Sequence, residues 1–191
     1  MKKLSYFTVL LAILAMIILL GCESRMSPME TTGTEQGETN TLAKGKSGGS
    51  GKSNTAHLYL HEKDPSDWSI VEDGAWGKMK YNLEGAEFKF VFNGHGLDEG
   101  VDYLLIYYPD PWPGTGLIVL GAGTANDEYN VHIMGSVNTG DLPIATDAND
   151  GAKIWLILAD DYDEVNASWN AWNPTEYLFE YDLISFNDTD D

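Results

Sequence analysis

From His57 to Phe186 the apolar residues recur with the period of β-strands, and no stretch keeps a 3.6-residue apolar period over three turns. Ala86-Glu87-Phe88-Lys89-Phe90-Val91-Phe92 alternates, placing Phe88, Phe90 and Phe92 on one face, the pattern of a half-buried strand. Leu58 to His61, Gly77 to Asn82, Asp102 to Tyr108, Leu117 to Leu120, Asn130 to Met134, Lys153 to Leu158 and Tyr177 to Phe186 alternate similarly or form short apolar runs. Gly, Pro, Asn and Asp punctuate the gaps at roughly ten-residue intervals, the spacing of a sandwich or barrel. Only Asp64-Pro65-Ser66-Asp67-Trp68 carries a helix start, with Asp64 as cap and Pro65 at the first position of a single turn. The expected fold is all-β: a single antiparallel β-sandwich, Ig-like or jelly-roll-like, of about eight strands with little helix.

The entry into one strand sharpens that expectation. Leu97-Asp98-Glu99-Gly100-Val101-Asp102-Tyr103 resembles the tyrosine corner of immunoglobulin-like and fibronectin-like domains, in which a tyrosine at a strand start bonds back to the preceding turn. Glu99 and Val101 stand where proline and threonine are common in that motif, and the five strands expected after it suit a jelly roll equally well.

The N-terminal segment speaks to location. Lys2 and Lys3 precede an apolar run from Leu4 to Leu20, which Gly21 and Cys22, the only cysteine of the chain, close. A basic start, an apolar core and a small residue before cysteine make up a lipoprotein signal peptide over 1–21, with Cys22 as the lipid attachment site. An uncleaved membrane anchor is the weaker account, because Glu23-Ser24-Arg25 lacks the positive cluster of a stop-transfer flank. Residues 22–56, rich in Gly, Ser, Thr, Glu, Gln and Lys, read as a flexible tether, since they cannot bury enough apolar surface to offset ordering entropy. As a coil of about 34 residues the tether would reach roughly 30 Å. The β-sandwich domain is expected over 57–186, followed by an acidic tail, 187–191. The implied localisation is export, with anchoring to the outer face of a cell membrane.

Charge restricts the partners. The chain has 30 acidic and 11 basic residues, and after residue 56 its only basic residues besides histidine are Lys63, Lys78, Lys80, Lys89 and Lys153. Nucleic acid is not an expected partner, because phosphate neutralisation needs Lys/Arg patches. The membrane is expected as a partner through the lipid anchor alone. An envelope polysaccharide or protein remains as the ligand class.

Five segments, Leu60-His61-Glu62-Lys63-Asp64-Pro65, Gly74-Ala75-Trp76-Gly77-Lys78-Met79, Tyr107-Tyr108-Pro109-Asp110-Pro111-Trp112-Pro113-Gly114, Asp147-Ala148-Asn149 and Trp172-Asn173-Pro174-Thr175-Glu176-Tyr177-Leu178-Phe179-Glu180, span the folded part. Through them the domain resembles a family of exported, lipoprotein-type domains of archaea and bacteria with no assigned activity. The resemblance implies an extracellular domain and transfers no catalytic residue.

Motif chemistry is sparse. His57 and His61, four residues apart on one strand, stand about 13 Å apart, too far to share a zinc ion. Gly121-Ala122-Gly123-Thr124-Ala125-Asn126 lacks the last glycine and the helix of a dinucleotide fingerprint. No serine sits in a Gly-x-Ser-x-Gly setting.

Two acidic loops flank the strand Lys153 to Leu158. Asp147, Asn149 and Asp150 precede it, and Asp160, Asp161 and Asp163 follow it. They offer hard oxygen ligands of the kind Ca²⁺ prefers, which makes Ca²⁺ the one candidate cofactor, with solvated turns as the plainer account. The loops lie at opposite ends of one strand, roughly 20 Å apart, and cannot share an ion.

Tyr107, Tyr108, Asp110 and Trp112, on a proline-stiffened connector, are the candidate ligand-binding residues: rings beside a carboxylate suit stacking on sugars or a proline-rich partner. The alternative is that the rings fold back to close one end of the sandwich. Trp155 is expected in the core; Trp169 and Trp172 fall in a loop, where core and surface placements are both open.

The function implied is a lipid-anchored cell-surface binding or structural module without catalysis, of unspecified ligand. The alternatives are a carbohydrate-binding or Ca²⁺-stabilised envelope domain, and a glycoside or other hydrolase using a carboxylate pair.

Overall fold

The computed structural model describes residues 53–190. The expected signal peptide 1–21, the attachment residue Cys22 and the tether up to residue 52 lie outside the described residues. The fold is all-β and sandwich-like.

In chain order the strands are β1 (Thr55–His61), β2 (Trp76–Asn82), β3 (Glu84–Gly85), β4 (Phe88–His95), β5 (Asp102–Tyr108), β6 (Ile118–Thr124), β7 (Asn130–Val137), β8 (Lys153–Leu158), β9 (Tyr162–Asp163), β10 (Ser168–Trp169), β11 (Phe179–Glu180) and β12 (Asn187–Asp188). Thr55 and Ala56, expected in the tether, open β1 and pair with Asn82 and Tyr81. Asn187 and Asp188, expected in a tail, run parallel to Glu84 and Gly85 as β12. The turn at Asp64 forms with its side chain capping Ser66 N and its carbonyl accepting from Trp68 N, and a positive φ at Trp68 stops it there.

One sheet has the order β11-β1-β2-β4-β7 and the other β6-β5-β8. The chain changes sheet between β4 and β5, between β6 and β7, and again between β7 and β8. At the first of these crossings the phenol of Tyr103 accepts from Asp98 N at 3.3 Å, the bond expected of a tyrosine corner. The strand order joins β4 to β7 in one sheet and β5 to β8 in the other. The C-terminal stretch stitches the layers along one side: Leu178 bridges to Leu156 of β8 while Phe179 and Glu180 pair with His61 and Leu60 of β1.

The alternation of β4 sends Phe88, Phe90 and Phe92 inward to meet Leu58, Leu60 and Met79 of β1 and β2. From the other sheet Tyr103, Leu105 and Tyr107 of β5 and Ile154 and Leu156 of β8 close this core. The intervening residues of those two strands, Leu104, Ile106, Tyr108, Trp155 and Ile157, are buried as well, in a second cluster with Tyr162, Tyr177 and Phe179. Buried on both faces, β5 and β8 read as continuous apolar runs where β4 alternates. The second cluster forms because the chain from 159 to 180 folds over the outer face of the three-stranded sheet.

Replacing Tyr103 by Phe keeps the buried ring and removes the corner bond. Urea unfolding is expected to show a loss of about 1 kcal/mol, the net worth of one such bond.

Candidate functional site

The outer face of β5 and β8 is where the aromatic residues collect. Tyr108 stacks on Trp155 with centroids 4.0 Å apart and planes 11° from parallel. Phe179 meets Trp155 edge-on at 5.2 Å, and Trp68 meets Phe179 edge-on at 5.2 Å. Over this floor stand Trp112, Trp169 and Trp172: Trp112 lies 5.4 Å from each of the other two, stacked on Trp169 and edge-on to Trp172. Such offset and edge-on contacts suit the ring quadrupoles. Between floor and wall opens a cleft of about 370 Å³, lined by the rings of Trp68, Tyr108, Trp112, Trp155, Trp172 and Phe179 together with Lys63, Asp110, Lys153 and Glu180.

Trp112 is 55% exposed, whereas Tyr108 and Trp155 are nearly covered, so a ring is presented to solvent on a packed base. Its connector is held at both ends. Gly114 adopts φ +82°, and a Cβ there would come within 2.5 Å of the Tyr108 ring, so glycine alone permits the loop to lie on that ring. The indole N–H of Trp169 donates to the Pro113 carbonyl at 2.9 Å.

The candidate residues Tyr107, Tyr108, Asp110 and Trp112 separate. Tyr108, Asp110 and Trp112 reach the cleft; Tyr107, one residue out of phase, points into the main core. There its hydroxyl donates to Asp147 Oδ2 at 2.6 Å and accepts from Ile144 N.

The acidic residues before β8 organise this connector. Asp147 Oδ1 accepts from the backbone N–H of Asp110 and from Asn149, and Asn149 Nδ2 in turn donates to Asp110 Oδ2 at 2.7 Å. Asp110 also pairs with the Lys153 ammonium. Partial burial alone would raise the proton affinity of Asp110, but the bonds from Lys153 and Asn149, with the Lys153 charge, hold its carboxyl below the usual range.

After β8, Asp161 is buried, and both its oxygens accept from Asn173 while the Tyr177 hydroxyl donates to one of them. This clamp holds the segment that carries Trp172. Asp163 closes a local turn through Val165 N and Asn166, and Asp160, whose carbonyl accepts from Asn170 Nδ2, and Asp150 stand in the flanking loops. Of the Ca²⁺ candidates, Asp147 and Asn149 are brought together; Asp160, Asp161 and Asp163 stand at the other end of β8. Among the described residues, no group of three or more His, Asp, Glu or Cys side chains is placed to hold a metal ion.

Three cleft residues had no local signal in the sequence. Lys63 donates to the Glu180 carbonyl at 2.8 Å across 117 positions of chain, and the Trp155 indole N–H donates to Glu180 Oε2. Burial pushes the Glu180 carboxyl up, against the opposing pull of Lys63, Trp155 and Lys153. Lys153 therefore acts on both carboxylates of the cleft. Burial, and then the charges of Asp110 and Asp147, push the Tyr108 phenol up to about 12, so it remains a neutral donor at physiological pH.

Hydrogen bonds join the motif segments to one another. Glu62 Oε2 accepts from Ala75 N, joining Leu60–Pro65 to Gly74–Met79; Lys63 joins the first to Glu180; Asp147 and Asn149 join the proline-rich connector. Comparison of the chain with family models, curated proteins and solved structures gives no match.

Asp147→Ala removes the acceptor shared by Tyr107, Asp110 and Asn149 and leaves a buried hydroxyl short of a partner. A loss of about 2–3 kcal/mol in denaturant unfolding is expected. The depressed Asp110 carboxyl contributes stability that is present above about pH 4 and lost as pH falls through its folded-state value. The melting temperature of Asp110→Asn should therefore fall less steeply below about pH 4 than that of the parent chain.

Proposed function

We propose that this chain is a lipid-anchored, cell-surface binding module without catalysis, and that the aromatic cleft between the Trp112 connector and β8 takes a carbohydrate. The observation that carries this reading is the exposed Trp112 indole on a packed aromatic base, with carboxylate and ammonium groups at the same opening. An exposed ring stacks on the C–H face of a pyranose, while the paired Asp110 and Lys153 keep their second carboxylate oxygen and remaining ammonium hydrogens for adjacent hydroxyls. Rings packed against one another lose little freedom when a ligand binds, which lowers the entropic cost of association. The expected anchor at Cys22 and the tether would hold the cleft facing the envelope, where polysaccharides are the abundant ligands.

One observation favours a hydrolase as the second reading. Asp110 and Glu180 line one cleft, and their surroundings shift their proton affinities in opposite directions, as an acid and a base would require. Binding is preferred because both carboxylates are already engaged: Asp110 by Lys153 and Asn149, Glu180 by the Trp155 indole.

Titration with a panel of neutral oligosaccharides, followed by intrinsic tryptophan fluorescence, tests the proposal. A saturable change with one glycan, weakened at least tenfold in Trp112→Ala and Trp172→Ala, is expected. Binding that survives both substitutions would overturn the assignment of the cleft, and release of new reducing ends would replace the module with a hydrolase.

A further inference from the structure

The outer face of the five-stranded sheet has a charge opposite to the rest of the domain. Cross-strand partners form rows on it: His61, Trp76, His95 and Asn130; Tyr59, Lys78, Asn93 and His132; His57, Lys80, Val91 and Met134. A fourth row places Thr55 opposite Asn82, and Lys89 opposite Ser136. None of these outward positions holds Asp or Glu, although the chain has 30 of them. Three of the five lysines of the folded part, Lys78, Lys80 and Lys89, and all four histidines of the chain stand here.

The lysines are not neutralised from within: Lys78, Lys80 and Lys89 form no ion pair among the described residues. Lys78 rests over the Tyr59 ring at 5.3 Å. Two histidines are oriented by asparagines: the Nδ1 of His95 lies 2.6 Å from Asn130 Oδ1, and that of His132 lies 2.7 Å from Asn93 Oδ1. An amide oxygen only accepts, so each Nδ1 carries the proton and each Nε2 is left for a partner. Glu87, bonded to Ser136, is the acidic group at the corner of the face. Strand spacings give the face a width of about 14 Å and a length of about 20 Å.

Within it runs a shallow trough of about 730 Å³, with Val91 and Met134 among its floor residues and Lys80 and Lys89 along it. Met134 is 65% exposed. An apolar floor beside point charges suits a sugar ring that bears an anionic substituent. Lys78 sits over the Tyr59 ring and His95 packs against the Trp76 ring, so each of these aromatics already has a partner on a face that a nucleobase would need. An anionic bilayer is a plane that would also meet the acidic loops around the sheet, whereas a single extended polymer touches this face alone. At physiological ionic strength, charges more than about 8 Å away are largely screened from it.

We propose that the outer face of β1, β2, β4 and β7 binds a linear acidic polysaccharide, laid along the trough between Lys80 and Lys89. This site is distinct from the aromatic cleft and does not rest on the cleft's being occupied.

Binding of the protein to polygalacturonate, with dextran as the uncharged control, tests it. Retention by polygalacturonate that falls steeply with salt is expected, with a drop of at least tenfold in the Lys78→Gln/Lys80→Gln/Lys89→Gln variant at an unchanged unfolding midpoint. Trp112→Ala should bind polygalacturonate like the parent chain, which separates this site from the cleft. Lys80→Glu supplies a second variant should the triple one lose its fold, and it should weaken binding further than Lys80→Gln. The proposal is overturned by absence of retention, by undiminished binding in the lysine variants, or by sedimentation with phosphatidylglycerol vesicles without retention by polygalacturonate.

Discussion

The burial of β5 and β8 on both faces is the constraint from which the remaining arrangement follows. A three-stranded sheet in a sandwich normally leaves one face to solvent. Here that outer face carries Leu104, Ile106, Tyr108, Trp155 and Ile157, too much apolar area to leave wet. The chain after β8 must return across it, and the residues it brings are again aromatic: Tyr162, Trp169, Trp172, Tyr177 and Phe179. A cover of large, stiff rings does not close flush, and the 370 Å³ cleft is the space left between the returning segment and the Trp112 connector.

The acidic side chains that crowd the sequence then take a second role beyond solubility. Asp147 and Asp161 are fastenings on either end of β8, one for the connector that carries Asp110 and Trp112, the other for the segment that carries Trp172. A carboxylate accepting several N–H and O–H bonds fixes loop geometry more firmly than an apolar contact could at a partly wet boundary. Without a disulfide among its described residues the domain is held at these points by carboxylate hydrogen bonds.

The strands and the all-β class were legible because alternation and turn punctuation are local. The double burial of β5 and β8 was legible only in part. An apolar run marks a strand, but which face meets which layer depends on a topology that no window of sequence contains. The same limit divided the candidate site. Tyr107 and Tyr108 are neighbours on one strand and must face opposite ways, so at most one of them could reach any single surface. Asp110 and Trp112 were recognisable from ring and carboxylate chemistry on a stiff connector. Lys63 and Glu180 come from segments whose meeting is long-range, and Lys153 gains its meaning only once Asp110 is seen beside it. The basic sheet face was readable in principle from the alternation of β1, β2, β4 and β7; what hid it was the dominance of acidic residues in the overall composition.

The six tryptophans of the chain provide the most direct test of the claim that the aromatic cleft is the ligand site. Trp68, Trp112, Trp155 and Trp172 line the cleft and Trp169 packs against it, while Trp76 lies on the outer face of the other sheet against His95. Each indole N–H gives its own NMR resonance. On addition of a neutral oligosaccharide that binds, the Trp112, Trp172 and Trp155 signals should move together with Trp76 unmoved. Movement of Trp76 with the cleft signals still would contradict the account.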